Sequence, residues 1–173
     1  GKGFFGKVYP YQKDPQDQRW VVKRIKISEP EEILKCIPEI VIGFACDHPC
    51  IVPVKGYSIQ SKGNNQFNVH LKLPKMTGGN FAQELERRKK DNLYFSESEL
   101  VKHFYCLLSA VDYLHSKKIF HGDIKKDNIL IDQKGNPRIS DVGCSRYIPE
   151  DDYSSLLTFA GGAGNYKAPE IIK

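Results

Sequence analysis

Apolar and polar positions alternate in two different ways along this chain. Short runs rich in β-branched and aromatic residues lie at 7–11, 19–27, 51–60 (IVPVKGYSIQ) and 66–73 (QFNVHLKL). Runs of this kind, bounded by Gly, Pro, Asn and Asp, predict strands, and SKGNNQ between the last two predicts a hairpin turn. A single helix is expected within 30–46, so this part reads as a small, mostly antiparallel lobe. After TGGN the period changes. Apolar residues at 100, 101, 104, 107, 108, 111 and 114 keep a 3.6-residue spacing, and Ser96 with Glu99 forms a capping box ahead of them. That predicts a long helix. Short strands are expected at NILI and RIS around the turn Lys134-Gly135-Asn136, and the two parts meet near PKM at 74–76.

Composition narrows the class. A chain of 173 residues at 40% hydrophobic can bury a core as one domain and is not a disordered tail. The net charge of +5 suits an anionic partner such as a nucleotide without requiring nucleic acid. The run ERRKKD at 86–91 follows NFAQEL on a second expected helix, where it reads as a solvated face. Cysteines at 36, 46, 50, 106 and 144, with no signal segment, read as free thiols of a reducing, intracellular and cytoplasmic setting. CDHPC at 46–50 matches no usual zinc spacing. No apolar run reaches about 18 residues, so no membrane span is expected. The chain begins at Gly1, inside a motif, which reads as a fragment.

That motif is GKGFFGKV, with glycines at 1, 3 and 6. A dinucleotide-binding turn needs a strand before the glycines and a helix after them, yet VYPY and the turn QKDPQDQ follow. A P-loop needs Ser or Thr after Gly-Lys, and Gly3 or Val8 stands there. A glycine-rich hairpin over a nucleotide, with a lysine on the next strand, fits Val8 and the VVK that ends at Lys23. Surface turns use glycine as well, so the motif alone leaves the choice open.

HGDIKKDNILI at 121–131 and SDVG at 140–143 add chemistry. Asp123, Asn128 and Asp141 stand at the ends of short adjacent strands, and magnesium takes few hard oxygen ligands from protein and the rest from phosphate and water. Asn128 and Asp141 can supply them. Asp123 is then left to accept a hydroxyl proton, with the positive charge of Lys125 two residues on.

The glycine hairpin, Lys23, HGDIKKDN, DVG and APE at 168–170 resemble, in order and spacing, the catalytic domain of eukaryotic protein kinases of the serine/threonine type, truncated at both ends. The resemblance implies an α+β, bilobal fold: a small antiparallel β lobe with one helix and hinge over 1–76, then the first half of a mainly helical large lobe over 77–173. It implies transfer of the γ-phosphoryl group of ATP, with Mg2+, to a hydroxyl of a protein substrate. Gly1, Gly3, Gly6 and Val8 would cover the nucleotide, with Val22 and Leu130 on either side of the adenine. Lys23 would hold the α and β phosphates and pair with Glu39; Leu73 would be the gatekeeper, and the backbone of Pro74 and Met76 would meet the adenine edge. Asp123 would be the base, Lys125 the phosphate stabiliser, and Asn128 with Asp141 the metal ligands.

Three positions depart from that pattern, and Pro38 and Gly43 bear on the match at Glu39. Gly122 replaces the arginine many kinases carry, giving a non-RD loop in which a phosphate on Ser154, Ser155 or Thr158 has less to neutralise. Val142 stands for the usual phenylalanine and fills less of the space between lobes; Ala163 stands where a threonine is usual. Pro38, just before Glu39, predicts that the helix restarts or kinks there, and Gly43 predicts a lost packing contact. Ser28 with Glu31 is a candidate cap. The alternative reading is a pseudokinase or nucleotide-binding scaffold without phosphoryl transfer.

Overall fold

The structure is a computed structural model that describes residues 6–11, 18–149, 164–167 and 169. Gly1, Gly3, Ser154, Ser155, Thr158, Ala163 and Glu170 lie outside the described residues. Strands β1 (Lys7–Pro10), β2 (Trp20–Ile27), β3 (Gly56–Gly63) and β4 (Gln66–Pro74) form one antiparallel sheet in the order β1-β2-β4-β3. Strand β3 begins at Gly56, five residues later than the sequence pattern suggests. Pro53 interrupts the apolar run, and Ile51 bridges to Ile139 instead.

Helix α1 (Ile33–Ala45) packs on one face of this sheet. Period-2 alternation puts Ile25 and Ile27 of β2 on that face beside Val69 and Leu71 of β4, and Cys36 of α1 and Val54 close the cluster. The helix neither restarts at Pro38 nor ends there. It runs through Pro38 unbroken, after a 3-10 turn over Pro30–Glu32, and the N-terminal cap differs from expectation because the Glu32 carboxylate, not Glu31, accepts from the Ser28 N–H. Gly43 removes no contact. It is buried, and a Cβ there would lie 2.3 Å from Val54 Cγ2, so the bare backbone is what lets Val54 seat.

Helices α2 (Phe81–Lys90) and α3 (Glu97–Ser116) each open with a full capping box, from Asn80 with Gln83 and from Ser96 with Glu99. Arg88 corrects the expectation of a solvated basic face. Its guanidinium bonds Glu84 and Glu99 at 2.6 Å each and stacks on Phe95, fastening α2 to α3. Strand β5 (Ile119–Phe120) pairs with β8 (Arg146–Tyr147), and β6 (Ile129–Ile131) with β7 (Pro137–Ile139). A second core cluster joins the end of α1 to this part, with Ile42 and Cys46 against Ala110 and Leu114 of α3, Ile139 and Val142. Val142 is therefore a core residue.

The five cysteines are not all free. Cys50 and Cys106 form a disulfide with Cα atoms 5.7 Å apart, while Cys36, Cys46 and Cys144 are thiols. The two partners are 56 residues apart in sequence, a proximity that only the packing of α3 beneath the α1–β3 connection creates.

Candidate active site

Lys23 lies in β2 opposite Val8 of β1 and Leu71 of β4. Only 6% of it is exposed, and its ammonium sits between two carboxylates, 2.6 Å from Glu39 Oε1 and 2.9 Å from Asp141 Oδ1. Burial alone would lower the Lys23 pKa, but the two carboxylates outweigh it and hold the pKa above the ordinary value. Glu39 is equally buried, and one cation serves two anions. Burial, with the charge of Asp141, pushes the Glu39 carboxyl up against the opposing pull of Lys23.

Each partner arrives by a different device. Glu39 projects from α1 immediately after Pro38, so the helix that continues through the proline is what delivers it. Asp141 has left-handed backbone angles, φ 62° and ψ 65°, an unusual conformation for a residue with a Cβ. Gly143 follows, and a Cβ on it would stand 3.2 Å from Glu39 Oε2 and 3.4 Å from Asp141 Oδ1. The glycine keeps room for both carboxylates.

The segment after β5 supplies a second group. Asp123 is 7% exposed, and its Oδ2 accepts from Lys125 Nζ at 2.7 Å and Asn128 Nδ2 at 2.8 Å. Asn128 Nδ2 also donates to the Asp123 carbonyl at 2.8 Å, which spends the amide hydrogens and leaves Oδ1 as a hard oxygen. Beneath lies His121, a residue the sequence reading passed over. Its Nδ1 accepts from the Asp123 N–H at 3.2 Å and its Nε2–H donates to the Ser140 carbonyl at 3.1 Å. Burial keeps the imidazole pKa below its usual value, which suits this neutral tautomer. The Ser140 N–H and hydroxyl both donate to the Asn128 carbonyl, at 2.8 and 2.9 Å, so the strand leading to Asp141 is tied to the loop holding Asp123.

A family model described as "Protein kinase domain" matches residues 1–173. The chain belongs to the protein kinase family. "CBL-interacting serine/threonine-protein kinase 8" of Arabidopsis thaliana is 33% identical over 99% of the chain and 37% of its own length. "Serine/threonine-protein kinase AtPK1/AtPK6" of the same plant is 32% identical over the whole chain and 35% of its own length. "Probable serine/threonine-protein kinase MARK-C" of Dictyostelium discoideum is 33% identical, again over the whole chain, and 22% of its length. The chain thus spans little more than a third, or less, of the curated relatives it matches.

In this kinase domain the expected nucleotide-contacting residues fall into two groups. Val8, Lys23 and Leu73 share one face of the sheet, because residues directly opposite in antiparallel strands point the same way. Val22 does not share it. The period of two turns Val22 to the other face, opposite Tyr9 and Lys72, and puts Val21, opposite Leu73, beside Lys23 instead. This corrects the assignment of Val22. Gly6 must be glycine because a Cβ would lie 2.4 Å from the Arg24 carbonyl oxygen.

Pro74 ends β4, and Met76 lies two residues on, in a connection fastened to the residue just before β2 by the Lys75 N–H to the Arg19 carbonyl at 2.7 Å. Gly78 and Gly79 then pair with Ile131 of β6 at 2.9 Å in both directions, and a Cβ on Gly78 would clash with Ile131. Leu130 alternates with the buried Ile129 and Ile131 and bridges to Asn80. Gly122 has φ 79°, a conformation glycine adopts at no steric cost. Among the described residues, no group of three or more His, Cys, Asp or Glu could hold a metal by itself, and no helix is long and apolar enough to cross a membrane.

Proposed function

We propose that this chain carries the catalytic centre of a protein kinase that transfers the γ-phosphoryl group of ATP to serine or threonine hydroxyls of protein substrates. The observation that carries this reading is the buried cluster of Lys23 with Glu39 and Asp141, tied through Ser140 to the loop of Asp123, Lys125 and Asn128. An ammonium held charged against two carboxylates is suited to meeting phosphate oxygens. A buried carboxylate flanked by a lysine and an amide is suited to a hydroxyl nucleophile and a transferring phosphoryl group.

In this reading Lys23, oriented by Glu39, holds the α and β phosphates. Gly6, Val8 and Val21 cover the nucleotide from the sheet side with Gly1 and Gly3, Leu130 lies on its opposite side, and Leu73 sits at the back. The backbone of Pro74 and Met76 meets the adenine edge; proline serves because only its carbonyl is needed. Asp123 orients the hydroxyl and takes its proton as the in-line transfer proceeds, and Lys125 neutralises charge on the phosphoryl oxygens. The donor set fits magnesium, which accepts one or two protein oxygens beside phosphate and water: Asn128 Oδ1 and the Asp141 carboxylate would hold it. When bound, that ion neutralises charge on the β and γ phosphates.

The glycine at 122 carries no cation for an activation-loop phosphate to satisfy, so activity does not depend on that phosphate. The test is γ-phosphoryl transfer to a protein substrate by the full-length protein. Asp123→Asn should lower turnover by about a hundred- to ten-thousandfold while nucleotide binding persists. Asp141→Asn should abolish metal-dependent transfer. Full turnover in both variants would refute the reading, and nucleotide binding without any transfer by the unaltered protein would assign it to the pseudokinases.

A further inference from the structure

A cleft of about 1010 Å³ lies beside the hinge segment Pro74–Thr77. It is lined by neither Lys23, Glu39, Asp123 nor Asp141, and three separate parts of the chain build it: the start of β2, the connection between α1 and β3, and the turn between β6 and β7, which meet across Pro74–Thr77. Its walls are fixed by backbone bonds. The Lys75 N–H reaches Arg19 at 2.7 Å, the Lys55 N–H reaches Lys72 at 2.8 Å, and the Val52 N–H reaches Ile139 at 2.8 Å.

The lining combines two chemistries. Trp20, Pro53, Pro74 and Met76 are half-buried and apolar, while Lys55, Lys75 and Lys134 stand exposed around them. Among the described lining residues the only carboxylate is Asp132, and it is already spent. It accepts from Arg138 at 3.0 and 3.2 Å, and from the backbone N–H groups of Lys134 and Asn136 at 2.8 and 3.0 Å. Among the described residues no carboxylate pairs with Lys55, Lys75 or Lys134. Three exposed lysines with no carboxylate partner among the described residues leave the rim of the cleft electropositive.

We propose that this cleft is a docking site for an extended acidic segment of a partner protein, carrying one large apolar side chain between its carboxylates. Charge complementarity selects the acidic flanks, and the floor of Trp20, Pro53 and Pro74 selects the apolar anchor. A cavity at the upper end of the range for small-molecule sites is larger than a single small anion needs. The floor would gain nothing from a polyphosphate.

The test uses the full-length protein and a fluorescein-labelled peptide of Asp and Glu residues around one central Leu, read by polarisation. Saturable binding is expected. It should weaken at least about tenfold with Lys55→Glu/Lys134→Glu, with Ala in place of the peptide's Leu, or with a rise to high salt. Tryptophan emission should shift on binding, and Trp20→Phe should remove that shift. The charge-reversal variant should keep the urea midpoint of the unaltered protein, which separates lost docking from lost folding. Absence of binding, or binding insensitive to charge reversal and to the Leu, overturns the proposal. Equal displacement by inorganic polyphosphate or poly(U) whatever the anchor residue overturns it too, and reassigns the cleft to polyanions.

Discussion

Removing the two carboxylates around Lys23 singly and together should give losses that do not add. The ammonium is buried, with Glu39 at 2.6 Å and Asp141 at 2.9 Å. Glu39→Gln keeps the shape and an acceptor oxygen, leaves Asp141 as counter-ion and relieves repulsion between two neighbouring anions. Its cost should be about 1–2 kcal/mol, the scale of one hydrogen bond to a charged group. Asp141→Asn leaves Glu39 in place and adds little backbone strain, because asparagine tolerates the left-handed conformation found there. It should cost about as much. The double variant leaves a buried ammonium facing amides, and breaking a buried pair costs about 3–5 kcal/mol.

A ceiling follows from proton loss. Deprotonating an ordinary lysine amine, of pKa about 10.4, at pH 7 costs about 5 kcal/mol at about 1.36 kcal/mol per pH unit, and the double variant can always shed the buried proton at that cost. The double loss should therefore fall between the sum of the singles and that ceiling, exceeding the sum by about 1 kcal/mol or more. Urea unfolding of the full-length protein, compared at constant m, reads all three variants. Losses additive within about 0.5 kcal/mol would refute the idea that one cation is shared by two carboxylates.

Three further outcomes are expected. Gly43→Ala gains about 1 kcal/mol of helix propensity but drives a Cβ to 2.3 Å from Val54 Cγ2, an overpacking of about 1–3 kcal/mol; a lower urea midpoint, partly restored by Val54→Ala, is the check. For Asp132, burial opposes ionisation, but bonds from Asn136, Lys134 and Arg138 win and hold its pKa below the ordinary value. Its contribution is full above the unfolded pKa of about 3.9 and fades as pH falls through the lowered folded value, so the gap in midpoint between the protein and Asp132→Asn should stay constant near neutrality and close below about pH 4. Cys106→Ser should lower the stability of the oxidised protein by about 2–4 kcal/mol, and thiol reduction of the unaltered protein should reproduce that loss.

Much of the candidate site's arrangement was legible in the sequence because its pieces are local. Asp123, Lys125 and Asn128 sit within six residues of each other, and their hydrogen bonds close inside that loop. His121 was missed because its role depends on bonding Ser140, nineteen residues away, which no local spacing announces. Val22 is adjacent to Lys23 in sequence, yet the pleat turns it to the other face and leaves Val21 beside the lysine, which no family motif by itself announces. Arg88 read as one more charge in a basic run until α3 brought Glu99 to it, eleven residues away.

The sequence alone determined which elements form and which chemistry is available. Period-2 runs made the sheet, the 3.6 period with its capping box made α3, and the ordered motifs marked the kinase family, because each signal is written in neighbouring residues. Tertiary structure decided the rest. It brought Asp141 to Lys23 across 118 residues and Cys50 to Cys106 across 56, carried α1 through Pro38 so that Glu39 could reach inward, and gathered Lys55, Lys75 and Lys134 at one cleft with Trp20. Such contacts form only when distant segments bury common apolar surface, and that burial also brings charges together at distances where they govern each other's protonation.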